Sequence, residues 1–174
     1  MQHHRAPTRL LDWTQSPLVA TYFAVNSHTN TDGAIWGLHR HSISFLSNDR
    51  NPPESSQIIL SEPPEIDKIF FDTQGSARIY PFEQAFPTSR MIAQQGAFTV
   101  SNHILADHAE VVESLTNTFE EESSAITRLK FIIPAGIKND IMKQLYFYNI
   151  RADSLFPGID GLGRTIQELV RISK

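Results

Sequence analysis

Two residues, Ser16 and Pro17, constrain the fold of this chain more than any others, because together they predict where a helix begins. A serine side chain accepts hydrogen bonds from the N–H groups of a first helical turn, and proline at the first helical position has no N–H to leave unbonded. Residues 18–25, which follow, are almost all apolar. We therefore expect a helix that is buried on nearly all sides.

The segment before this helix start, residues 8–14, predicts a strand because it is short, apolar and rich in β-forming residues. Polar side chains crowd the junction between this strand and the helix. Polar groups between buried elements cost free energy unless they are hydrogen-bonded or used, so we expect a functional site at the junction. The candidate site residues there are His3, Arg9, Asp12, Trp13, Thr14 and Ser16.

Several of these candidates have an alternative structural role. His3 either faces the site as a hydrogen-bond donor or packs at a helix end. Asp12 either accepts hydrogen bonds from the N-terminus of the helix or binds the hydroxyls of a ribose. Trp13 either lies in the core or stacks on a base or a nicotinamide ring. We expect no metal site, because the chain has no cysteine and its histidines lack metal-binding spacing.

Apolar runs and turn signals outline the rest of the chain. They predict strands at 34–38, 96–100 and 128–134, a short helix from Ser89, strand or loop candidates at 69–72 and 77–80, and a surface loop at 47–65. Two further helices are indicated by apolar spacings of three and four. Their apolar residues are Ile137, Ile141, Leu145 and Tyr148 in the first, and Ile159, Leu162, Ile166, Leu169 and Val170 in the second.

Strands and helices alternate without a regular βαβ rhythm, so the sequence predicts an α+β fold. We expect a single domain over residues 1–174, with a small mixed sheet flanked by helices. The strand at 8–14 and the segment at 90–100 should lie side by side, with the helix at 17–26 behind them. Asp160 is the expected N-cap of the C-terminal helix.

Composition limits the partners and the compartment. The net charge is −4, but residues 123–174 hold eight basic and four acidic side chains. This excess of basic side chains suits a surface that binds phosphate, although the segment lacks the dense basic stripe of a nucleic-acid-binding surface. No apolar run is long enough to cross a bilayer, so no membrane partner is expected. The absence of cysteine fits a reducing compartment, and we expect a cytoplasmic protein.

Three segments resemble the FRG domain family. The first includes Gln2-His3, the run PTRLLDW at 7–13 and the run YFA at 22–24. The second is RMIAQQGAF at 90–98, and the third is SLFPGIDGL at 154–162. The Phe-Arg-Gly that names the family precedes the Gln-His pair. The resemblance therefore implies an FRG-like domain that is truncated at its N-terminus and lacks an arginine of the site.

A further similarity concerns function. A strand that ends in hydroxyl residues and leads into a buried helix is similar to the Ser-Thr-Ser element that supports the NAD pocket of ADP-ribosyltransferases. This similarity implies an α+β, ADP-ribosyltransferase-like fold and an NAD- or nucleotide-handling effector domain of a prokaryotic defence or stress system. NAD is then the candidate cofactor, and enzymatic activity stays open. The rival is a non-catalytic nucleic-acid- or protein-binding module that uses the basic C-terminal third.

The second FRG-like segment supplies further candidates. Arg90 would bind the cofactor, and Gln95 would stabilise the cation-like sugar of an ADP-ribosyl transfer. Asp12 is the second catalytic candidate. Alternatively, Gln94 and Gln95 simply end a helix, and Gly96 is the left-handed residue that follows it.

Overall fold

The computed structural model of the protein describes residues 9–39, 77, 79–82, 86–103, 107–114, 119–120, 123–124 and 128–173. His3, the predicted loop at 47–65 and the candidate strand at 69–72 lie outside these residues. The described strands are β1 (Leu10–Thr14), β2 (Gly33–Leu38), β3 (Ile79–Phe82), β4 (Gly96–Ser101), β5 (Phe119–Glu120), β6 (Ser123–Ser124) and β7 (Arg128–Ile133). The described helices are α1 (Pro17–Asn26), α2 (Ser89–Ala93), α3 (His108–Ser114), α4 (Lys138–Phe147), α5 (Ala152–Leu155) and α6 (Ile159–Ile172).

The strands form small sheets. One has three strands in the order β1-β4-β3, and two others are the pairs β2-β7 and β5-β6. β3 runs antiparallel to β4, and β5 runs antiparallel to β6. β1 lies beside β4 in the three-stranded sheet. This confirms the prediction that the strand at 8–14 and the segment at 90–100 lie side by side. Helices and small sheets follow one another without a βαβ rhythm, which confirms the α+β prediction.

The contacts between Cα atoms divide the chain into two compact units. The first consists of Met1–Asp12, Gly37–Glu83 and Phe98–Leu129, and the second of Trp13–Trp36, Gln84–Ala97 and Lys130–Lys174. The single domain over 1–174 stays a prediction.

The core of the second unit is built from α1, α4, α5 and the end of β7. Its buried residues are Val19, Tyr22, Val25, Ile133, Met142, Leu145, Ala152, Leu155 and Phe156. α1 was expected to be buried nearly all round, and this is wrong: Leu18 and Phe23 are 44% and 43% exposed. The helix is apolar on every side, but its buried residues are Val19, Tyr22 and Val25, with Ala24 partly buried against the same core.

α4 also differs from the prediction. Leu145 is buried as expected, together with Met142, but Ile137 is exposed and Tyr148 is 67% exposed. Ile137 belongs to the 3-10 turn Ala135–Ile137 before the helix, and Tyr148 follows its last residue. Both lie outside the helical turns, so the apolar spacing alone places the buried face incorrectly.

α6 reverses its predicted orientation. Its buried residues are Gly161, Thr165 and Glu168, whereas the apolar residues predicted to face the core are exposed at Ile159, Leu162, Ile166 and Val170. The cause is its neighbour α5: Thr165 Oγ1 accepts a hydrogen bond of 2.8 Å from Asp153 N, and Glu168 Oε2 accepts one of 3.2 Å from Ala152 N.

At 14 residues, α6 is shorter than the roughly 20 residues that span a bilayer. None of the helices in the described part of the chain qualifies as a membrane span.

Candidate functional site

The turn between β1 and α1 is fixed by its two hydroxyl side chains. Ser16 is the N-cap of α1, and its Oγ accepts a hydrogen bond of 3.4 Å from Val19 N, with Pro17 at the first helical position, as predicted. Thr14 Oγ1 accepts a hydrogen bond of 3.1 Å from Ser16 N and donates one of 2.7 Å to Gln94 O. The hydroxyls therefore hold the strand-to-helix turn against the turn that follows α2.

The turn between α2 and β4 corrects one prediction. Gln94 is the C-cap of α2, and Gln95, not Gly96, has the left-handed backbone, with φ at 47°. A non-glycine residue in this region is uncommon. Gln95 O accepts a hydrogen bond of 2.9 Å from Gln15 N, which ties the turn to the end of β1. The side chain of Gln95 is exposed beside this tie.

The turn that follows α2 contacts the segment around Phe156. Gln94 Nε2 donates a hydrogen bond of 3.1 Å to Leu155 O, the residue before Phe156. The guanidinium carbon of Arg90 lies 4.8 Å from the centre of the Phe156 ring, and that of Arg164 lies 4.5 Å from it. Phe23 meets the same ring edge-on, with 6.1 Å between the ring centres. We call these four residues, Phe23, Arg90, Phe156 and Arg164, the Phe156 cluster.

The two arginines of the Phe156 cluster have no acidic partner in the described part of the chain. The ion pairs seen there join Lys143 to Asp140 and Arg151 to Asp153. Arg90 Nε is buried and makes no hydrogen bond with any described residue. A buried, unbonded donor on a charged group is costly, so Arg90 has hydrogen-bonding capacity that the described protein groups do not use.

A buried hydrogen-bond network lies behind the cluster and supports α1 and α6. The Tyr22 hydroxyl donates to Glu168 Oε1 and accepts a hydrogen bond of 3.0 Å from Asn26 Nδ2. Burial raises the pKa of Tyr22 well above its usual range, and the adjacent Glu168 carboxylate adds to the rise. The hydroxyl therefore stays protonated and acts as a donor that positions α6, the helix that carries Arg164.

The predicted site residues fall into three groups. Thr14, Ser16, Arg90 and Gln95 come together in the second unit around the two turns, and Trp13 belongs to the same unit, half-buried at the end of β1. Arg9 and Asp12 belong to the first unit, where Arg9 is half-buried and Asp12 is exposed. The third group is His3, outside the described residues. That Asp12 shares a site with Gln95 stays a prediction.

Sequence reasoning did not single out Phe23, Phe156 and Arg164, which lie together with Arg90 in the Phe156 cluster. Phe156 belongs to the Leu-Phe-Pro segment that resembles the FRG family, and this was the signal that could have found it. Arg164 gave no signal, because it lies on a helix whose apolar pattern predicts the opposite orientation. The helix also begins differently from the prediction, since Gly158 is its N-cap and Asp160 lies within its first turn.

Within the described residues, no group of three His, Cys, Asp or Glu side chains could hold a metal ion. No curated protein matches the chain, and no solved structure matches it. One family model does match: the FRG domain, over residues 1–33. This match confirms the resemblance predicted from the first motif: residues 1–33 are similar to the FRG domain.

Proposed function

We propose that this domain handles NAD or a related nucleotide, as an ADP-ribosyltransferase-like effector of a prokaryotic defence or stress system that acts in the cytoplasm. The observation that carries the proposal is Arg90, which has no carboxylate partner among the described residues while its guanidinium lies over the Phe156 ring. An arginine fork binds phosphate oxygens by charge-assisted hydrogen bonds, and a dinucleotide such as NAD supplies them.

The turns beside Arg90 suit such a ligand. Thr14 and Ser16 use their hydroxyls to fix the backbone, so their role in the proposal is to position the site. Arg90 lies within α2 and Gln95 two residues after its end, so one short segment carries the phosphate-binding group and the candidate catalytic amide. A half-buried Trp13 and a half-exposed Phe23 offer aromatic surface for a base or a nicotinamide ring.

Gln95 and Asp12 are the candidate catalytic residues of the proposal. Transfer of ADP-ribose proceeds through a sugar that gains positive charge, and an amide oxygen or a carboxylate nearby stabilises it. The left-handed backbone of Gln95 is consistent with this role, because uncommon backbone conformations concentrate at functional sites. In this proposal His3 and Arg9 contribute to binding of the cofactor.

An NAD-consumption assay combined with thermal melts tests the proposal. Asp12→Asn keeps the shape of the side chain and removes its charge, and Gln95→Ala removes the candidate amide. We expect both variants to lose NAD consumption while their melting temperatures change little. Gln167→Ala, an exposed glutamine on α6, is the matched control and should keep full activity. Stable Asp12→Asn and Gln95→Ala variants with undiminished activity would refute the catalytic assignment.

A non-catalytic protein-binding module is the second candidate function. The exposed apolar residues of α6 favour it, since Ile159 is 86% exposed and Leu162, Ile166 and Val170 follow on the same helix. Large exposed apolar patches mark interaction sites. The same assay separates the two functions. A binding module consumes no NAD, and Ile166→Asp would abolish partner binding without changing nucleotide affinity.

A further inference from the structure

Two arginines from different helices converge on one buried aromatic ring. Arg90 belongs to α2 and Arg164 to α6, and the guanidinium carbons lie 4.8 Å and 4.5 Å from the centre of the Phe156 ring. Because both distances are measured to the same point, the two guanidinium carbons lie no more than about 9 Å apart, within the reach of one diphosphate group. Like charges repel each other, so an arrangement of this kind is stabilised by an anion that binds both groups.

A third arginine provides an internal comparison. Arg151 also lies over an aromatic ring, with its guanidinium carbon 5.1 Å from the centre of the Tyr146 ring. Its Nε donates a hydrogen bond of 2.6 Å to Asp153 Oδ1, and this bond raises the pKa of Arg151. Arg90 and Arg164 form no such ion pair with any carboxylate among the described residues. Asp160, one turn before Arg164 on α6, forms none either.

We propose that Arg90 and Arg164 form a clamp for the diphosphate group of a nucleotide, with one guanidinium on each phosphate. This inference rests on the proposed function and adds Arg164 to it as a specificity-determining residue. One phosphate group accepts the paired hydrogen bonds of a single guanidinium group. Two guanidinium groups on separate helices can each bind one phosphate of a linked pair. Both cations lie against one aromatic ring, in contrast to the extended basic stripe that a nucleic-acid backbone requires.

The surroundings of the cluster are consistent with a nucleotide. Phe23 packs edge-on against Phe156 and keeps 43% of its surface exposed. An exposed aromatic ring beside two phosphate-binding groups offers a stacking surface for a base. Phe156 itself is buried and held in place, because Gln94 Nε2 bonds to the carbonyl of the preceding residue, Leu155. The ring therefore serves as a fixed support on which both arginines rest.

Calorimetric titration of the full chain with ADP, AMP and inorganic pyrophosphate tests the clamp. We expect ADP and pyrophosphate to bind, and AMP to bind more weakly than ADP. In Arg164→Met the affinity for ADP and pyrophosphate should fall roughly ten- to a hundred-fold, as for a lost charge-assisted contact, while the affinity for AMP changes by less than about three-fold. Arg164→Lys should recover part of the loss. Arg151→Met, the matched control, should bind all three probes as the unchanged chain does.

The outcomes separate this inference from the proposed function. Equal losses for ADP and AMP in Arg164→Met, or no loss for either, would overturn the clamp, and so would a chain that binds none of the probes. If NAD is bound and consumed while Arg164→Met has normal affinity for ADP, the clamp fails and the proposed function stands. If ADP binds as expected and NAD is neither bound nor consumed, the clamp stands and the proposed function fails.

Discussion

The hydroxyl of Tyr22 on α1 donates a hydrogen bond to the carboxylate of Glu168 on α6, although 146 positions separate the two residues in sequence. Both side chains are buried. Glu168 also accepts a hydrogen bond from the backbone of Ala152 at the start of α5. One carboxylate thus links three helices of the second unit and holds α6 with its polar stripe inward.

Removing the Tyr22 hydroxyl should destabilise the protein. In Tyr22→Phe one oxygen of the buried Glu168 carboxylate loses its donor, and we expect the free energy of unfolding to fall by about 1–3 kcal/mol. Tyr148→Phe, at a tyrosine that is 67% exposed, is the control and should change it by less than about 0.5 kcal/mol. Urea denaturation of both variants measures the difference, and equal effects would contradict the role of this hydrogen bond.

The same contact predicts a dependence on alkaline pH. In the folded state the pKa of Tyr22 is raised above its ordinary value of 10.0, so the unfolded chain loses this proton before the folded chain does. The contribution of Tyr22 is therefore complete below about pH 10 and declines as the pH rises further. Melting curves between pH 8 and pH 11 should show a steeper loss of stability for the unchanged chain than for Tyr22→Phe. Parallel losses would contradict the prediction.

Local signals in the sequence predict local structure well in this chain. Ser16 and Pro17 mark the start of α1 because a cap and a first-turn proline act within one turn of the helix. Glu168 and Gly161 give no comparable signal, because what buries them is a partner elsewhere in the chain. The apolar pattern of α6 predicts the wrong face for the same reason. The Phe156 cluster joins α1, α2 and α6, and only the folded chain brings these helices together.

Two glycines on α6 provide a matched pair of substitutions. A Cβ at Gly161 would overlap the carbonyl oxygen of Phe156 and lie 3.0 Å from Ala152 O, whereas a Cβ at Gly163 would meet nothing within 4 Å. Gly161→Ala should therefore destabilise the protein by roughly 1–3 kcal/mol through overpacking against α5. Gly163→Ala should stabilise it by about 0.5–1 kcal/mol, since alanine favours the helix. Denaturant titrations that give the two variants the same sign would contradict this placement of α6.

Lys138 is buried at the start of α4 and stabilises the end of α1. Its Nζ donates hydrogen bonds of 3.2 Å to Ser27 O and 3.1 Å to His28 O, where the helix carbonyls carry partial negative charge. Lys138→Met keeps the apolar stem and removes both bonds. We expect a loss of about 1–3 kcal/mol in the free energy of unfolding.

Lys143→Met is the control for this prediction. Lys143 lies on the same helix, but its ion pair with Asp140 is exposed and 3.8 Å long. Pairs of this kind contribute little, so its removal should change stability by less than about 0.5 kcal/mol. Chemical denaturation measures both variants, and a loss at Lys143 as large as that at Lys138 would contradict the capping role.

His108, at the start of α3, predicts a dependence on mildly acidic pH. Its Nε2 is buried without a hydrogen-bond partner among the described residues, and burial lowers the pKa of His108 while the charge of Asp107 opposes that effect. The contribution of His108 is therefore complete above its ordinary pKa of 6.5 and is lost as the pH falls below it. The stability difference between the unchanged chain and His108→Gln should change between pH 7.5 and pH 5. A constant difference would contradict the prediction.

The most direct test of the account is a calorimetric titration of NAD into the full chain and into Arg90→Met. Arg90 is the residue whose unpaired charge among the described residues and position over Phe156 carry the proposed function. We predict weak but measurable binding to the unchanged chain, a loss of affinity of roughly ten- to a hundred-fold in Arg90→Met, and unchanged affinity in Arg151→Met. An unchanged chain that does not bind NAD, or an Arg90→Met variant that binds it as tightly, would contradict the central claim.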